Sequence, residues 1–163
     1  MLLRPLANCA IAFCSSLLQA QAPDPTPAVD RAAEKVATIA EEFIGTKVGT
    51  GECWDLAQFA LNKAGAKWDG RYGYGRKLDT PNEAVKRGDV VQFSKVLVER
   101  RDGTTIEQET MGHHTAIVLR VHEPGRYTLA HQNFGTEGRK VGSYELVMAD
   151  VKRGTITFFR PGY

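Results

Sequence analysis

The sequence predicts an α+β domain in which two amphipathic helices precede an antiparallel sheet. Apolar residues recur at helical spacing over Arg31–Ile44 and again over Cys53–Ala64. Short runs rich in β-branched and aromatic residues, separated by turn signals, fill the chain after Gly88. Helices first and strands second exclude a doubly wound α/β fold. The 21 basic and 19 acidic residues leave a net charge of +2, which predicts no nucleic-acid partner. After residue 30 nothing approaches the roughly 18 consecutive apolar residues of a membrane span.

Taken in order, residues 1–22 read as a secretory signal: one positive charge at Arg4, an apolar run from Leu6 to Leu18, then small residues at Ala20 and Ala22. This predicts a secreted or periplasmic protein. Residues 23–30 form a stiff leader through Pro23, Pro25 and Pro27, with Asp30 as a helix start, and residues 31–163 form one domain. In the first helix Ala33, Val36, Ile39, Ala40 and Phe43 make one buried stripe. A glycine-rich turn leads into the second helix, where Leu56, Ala57, Ala60, Leu61 and Ala64 recur at three and four and Gly65 is the C-cap. Residues 66–88 form a long connection with one short helix near Pro81–Lys86. Six strand-like runs follow: Asp89–Glu99, Thr104–Glu109, His114–Val121, Arg126–Phe134, Lys140–Val147 and Gly154–Pro161.

With Cys9 and Cys14 inside the signal, Cys53 is the lone cysteine of the mature chain. It opens the second helix, where unpaired amides and the helix dipole favour a thiolate and offer donors to an oxyanion. Gly49 and Gly51 let the backbone enter that helix sharply. A nucleophilic thiolate needs a base, and the base needs a group that fixes its tautomer. His113 and His114 open one strand and, being adjacent, face opposite sides. His131 and Asn133 share a face of the next strand, with Gln132 on the other. Trp54, Tyr72 and Tyr74 could wall a cleft, although core packing is the plainer role for Trp54. Cys53 with His113, His114 and His131 is also a permissible zinc set, but adjacent histidines point apart. No metal or other cofactor is therefore expected.

The blocks Gly-Thr-Gly-Glu-Cys-Trp-Asp-Leu-Ala, Lys-Arg-Gly-Asp-Val-Val-Gln-Phe, Gly-His-His-Thr-Ala-Ile-Val and His-Gln-Asn, in order over roughly residues 45–135, resemble papain-like amidohydrolases of the CHAP and NlpC types. The resemblance implies a papain-like fold, with a nucleophile helix starting at Cys53 packed on an antiparallel sheet of five to six strands. It implies a cysteine amidohydrolase or peptidase in which Cys53 attacks an amide, His114 is the base because it directly precedes Thr-Ala-Ile-Val, and His131 or Asn133 orients His114. Trp54, His113 and Tyr74 would contact substrate. The implied substrate is a peptidoglycan or other extracellular peptide, taken by a monomer. The chain departs from CHAP domains in having His131-Gln132-Asn133 where they carry Glu-x-Asn. The same blocks also resemble a cysteine-proteinase-fold domain at the end of some fungal actin-associated proteins. Alternatives are a catalytically inactive papain-fold module that grips cell-envelope or matrix peptides, or a Cys/His zinc site.

Overall fold

The computed structural model describes residues 28–163, so the segment expected to be a secretory signal lies outside the described residues. Helix α1 (Ala28–Glu42) buries Ala32, Ala33, Val36, Ala37, Ile39 and Ala40. It begins two residues before Asp30, so the end of the predicted leader is already helical. Helix α2 (Cys53–Ala64) packs beside α1 through Leu56, Ala57, Ala60, Leu61 and Ala64, and ends on Gly65 in the left-handed region. The strands are β1 (Arg76–Lys77), β2 (Val90–Asp102), β3 (Thr105–Glu123), β4 (Arg126–Gln132), β5 (Val141–Val147) and β6 (Val151–Arg160). They form one antiparallel sheet in the order β1-β6-β2-β3-β4-β5. The predicted runs 104–109 and 114–121 are one continuous strand. Two helices packed on this six-stranded sheet give the papain-like architecture that the sequence predicts.

The segment Pro81–Lys86 is a turn and not the predicted short helix. Asp79 captures it locally, its carbonyl accepting from the Asn82 and Glu83 amides and its carboxylate from Asn82 Nδ2, while Glu83 bonds the Asp79 amide and Arg76. The strand that follows is anchored by a buried pair. Asp89, fully buried, accepts from Arg160 Nε at 2.9 Å and Nη2 at 2.8 Å, and Arg160 also bonds the Ala84 carbonyl. Asp89 in addition accepts from the Lys86 amide, the turn-capping role its position suggests.

The sheet separates two cores. One lies against the helices and includes Val90, Ile117, Leu119 and Ala130. The other lies on the opposite face and includes Val91, Phe93, Val96, Met111, Ala116, Val118 and Leu129. Along β2 the inner-facing positions run 91, 93, then 96, 98; along β3 they run 111, then 114, 116, 118. Both strands therefore shift their alternation at the same place, where Lys95 takes φ 53° and lies between residues paired to either side of Gly112. Gly154 of β6 backs onto this bend with φ 94°; a Cβ there would meet the Lys95 carbonyl oxygen at 2.5 Å. The bend decides which side each histidine of β3 faces.

Candidate active site around Cys53

The segment before Cys53 is shaped by one carboxylate and one amide. Asp55 Oδ2 accepts from the Thr50 amide (2.8 Å) and hydroxyl (2.7 Å) and from the Gly51 and Glu52 amides (3.0 and 3.1 Å). Burial pushes the Asp55 carboxyl upward, but the Thr50 hydroxyl and these amides outweigh it and hold the carboxyl below its ordinary range. From the other side Gln132, fully buried at the end of β4, accepts from the Val48 amide at 2.8 Å. Its Nε2 donates to the carbonyls of Val48 (3.0 Å) and Glu52 (2.8 Å). The backbone entering α2 is thus held at both ends immediately before the sulfur.

Cys53 is half-buried and forms no disulfide. Burial raises its thiol above the ordinary value, although hydrogen bonds from the main chain at Thr115 and Trp54 favour the thiolate, and Glu52 adds a further upward push. The resting group is therefore a thiol, against the lowered value that the helix terminus alone predicts. The Thr115 contact sets Cys53 against the helix-facing side of β3. Thr115 is buried there with Tyr74, beside the half-buried Gln92: the Tyr74 hydroxyl lies 3.0 Å from Thr115 Oγ1 and donates to Gln92 Oε1 at 3.1 Å. His113, two residues along the strand, falls on this same side and is exposed, with the Tyr72 ring edge-on at 4.7 Å.

His114 and His131 lie on the opposite face. His114 pairs in register with Phe93, and Ala116 with His131, so the four side chains point into the core away from α2. Their rings sit edge-to-face, centroids 5.5 Å apart. The assignment of His114 as base and His131 as its orienting partner is corrected accordingly: the pleat separates both from Cys53. Asn133 does not share the His131 face either. It takes φ 61° as the chain leaves β4, and its Nδ2 donates to Glu52 Oε2 at 2.7 Å. The Cys/His zinc set is split by the sheet, Cys53 and His113 on one side and His114 and His131 on the other. Among the described residues no group of three or more His, Cys, Asp or Glu side chains could hold a metal ion.

The aromatic residues also divide. Tyr74 is fully buried and stacks near Trp68 and Phe159, so it forms the floor and not a substrate wall. Trp54 is partly buried, packs on the helix-side core and donates its indole N–H to the Arg71 carbonyl at 2.8 Å. That bond and the Asp69 carboxylate, which accepts from the Arg71 and Gly73 amides, fix the turn that leaves Tyr72 exposed beside His113. The sequence reading missed Gln132, Gln92 and Thr115 as organisers of the site. Each polar group inside an otherwise apolar strand was the available signal.

Residues 26–162 match the AIM3/BBC1 cysteine proteinase-fold domain, and the chain belongs to this family. A curated relative, the Debaryomyces hansenii protein named altered inheritance of mitochondria protein 3, is 27% identical over 150 residues. The match covers 81% of this chain and 16% of that protein, so the chain spans a small part of its relative's length. Among solved structures, the crystal structure of Ly7917 is similar with a TM-score of 0.46 and 19% identity, covering 81% of this chain and 62% of that one. Ly7917 crystallised with the hydrolysing product of MDP matches with a TM-score of 0.45 and 20% identity, covering 83% and 64%.

Proposed function

We propose that this member of the AIM3/BBC1 cysteine proteinase-fold family is a thiol amidohydrolase in which Cys53 is the nucleophile and His113 the base. The observation that carries the reading is the packing of α2 against β3 on the helix-side face, the side on which Ile117, Thr115 and His113 alternate. His113 takes the thiol proton as Sγ attacks an amide carbonyl, and the main-chain amides of Cys53 and Trp54 in the first turn of α2 receive the oxyanion. The same imidazolium returns the proton to the departing amine, and water then cleaves the thioester. Because burial holds the resting thiol protonated, the proton transfer accompanies the attack on the carbonyl.

Export is part of the proposal and rests on Arg4 and the apolar run Leu6–Leu18. A peptide of the cell envelope as substrate rests on the likeness of the motif blocks to CHAP and NlpC enzymes. A second reading, a binding module that grips such peptides without cutting, is favoured by the raised thiol. Incubating the chain with peptidoglycan-derived peptides decides between them. Turnover that Cys53→Ser abolishes while the peptide still binds supports the hydrolase; binding of equal strength in both proteins, with no cleavage in either, supports the module.

A further inference from the structure

We propose that the sheet face opposite the helices holds a second site, a pocket of two imidazoles and one thioether for a soft monovalent metal ion, Cu(I), built by His114, His131 and Met111. The three side chains line one narrow gap, walled otherwise by Phe93, Ala116, Leu129 and Tyr144 and too tight for a water molecule. His114 is 6% exposed and His131 3%. Among the described residues, His114 Nε2 is the buried side-chain nitrogen or oxygen that has no hydrogen-bond partner. An orphaned buried imidazole nitrogen disfavours folding, and an apolar side chain of the same size would not carry that penalty. Water cannot relieve it here, whereas an ion bound directly by the side chains can.

The donor set selects the ion. Imidazole with thioether suits a soft monovalent cation, and thioether is a ligand that selects Cu(I). Zinc would demand four donors, with thiolate or carboxylate to balance its charge in an apolar wall. Of the carboxylates near His131, Glu109 is occupied: it accepts from the Tyr144 hydroxyl at 2.7 Å and pairs with Arg100 at 3.5 Å. Two imidazoles sharing one ion at about 2 Å per nitrogen hold their ring centres roughly 5–6 Å apart. The observed 5.5 Å falls in that range. Phe134 covers the pair, 5.2 Å from the His114 ring and 5.3 Å from His131, which shields a bound ion from solvent and oxidant.

The test uses the full chain with Cys9, Cys14 and Cys53 replaced by serine, so that no thiol competes. Cu(I) is titrated anaerobically against a chromophoric Cu(I) chelator. One equivalent is expected to bind. His114→Phe should weaken binding by more than the roughly 10–100-fold that loss of an outer partner costs a metal site. Met111→Leu should weaken it too, and His113→Ala, on the other face, should leave it unchanged. Failure of the parent to retain Cu(I), or parent-like affinity in a folded His114→Phe chain, overturns the proposal. Should His114→Phe not fold, the near-isosteric Met111→Leu decides, and unchanged affinity in it removes the site.

Discussion

Burying His114 makes the fold sensitive to acid in a way that one substitution should remove. The surrounding apolar core, with smaller contributions from His131 and His113, lowers its imidazole from 6.5 to about 4. A histidine whose folded value lies below its unfolded one takes up its proton first in the unfolded chain. Its neutral form therefore causes no loss of stability above pH ~6.5, and stability drains away as pH falls toward 4, below which both states are protonated. At 1.36 kcal/mol per pH unit, lowering the imidazole from 6.5 to about 4 amounts to about 3 kcal/mol. That is a large part of the roughly 5–15 kcal/mol by which domains are stable. Burial of His131 lowers its imidazole in the same sense. Urea unfolding from pH 7 down to pH 4 on the parent and on His114→Phe measures the difference, and the carboxylates common to both cancel. The parent should lose about 3 kcal/mol more than the variant over this window. Parallel curves would refute the placement of His114 in a dry core.

Two further substitutions probe the approach to Cys53. Gln132→Leu leaves the Val48 amide and the Val48 and Glu52 carbonyls without their partner, and should cost roughly 2–4 kcal/mol in denaturant unfolding while speeding alkylation of the thiol. A change within about 0.5 kcal/mol, the scale of a neutral surface substitution, would show that the clamp is not needed. Asp55→Ala removes four bonds to the glycine-rich segment and should cost about 1–2 kcal/mol, the upper range for a lost helix cap. Because the Asp55 carboxyl is held low, this contribution is present above the ordinary carboxylate range and lost as pH falls through the folded value, so parent and variant should converge in acid.

The helices were legible because their apolar stripes are uninterrupted and Gly65 closes the second one. The strand content was legible from β-branched runs. Cys53 at the head of α2 followed from its place directly before the apolar stripe. Which histidine shares its face did not, because alternation along β3 restarts at the bend opposite Lys95 and only the register with β2 fixes the phase. The motif spacing pointed to His114, whereas the Phe93 pairing turns that residue inward. Asn133 was misplaced for a related reason: β4 ends at Gln132, and Asn133 itself takes the left-handed conformation that breaks the alternation. Gln132 was passed over because its role depends on Val48 and Glu52, 84 and 80 residues away in sequence.

The pairing of Cys53 with His113 is tested most directly by the rate of Cys53 alkylation with iodoacetamide across pH, followed by peptide mass in the parent, His113→Ala and His114→Phe. Pairing predicts that losing His113 slows alkylation at neutral pH and moves the profile upward, while losing His114 leaves it in place. A profile shifted by His114→Phe and untouched by His113→Ala would contradict it.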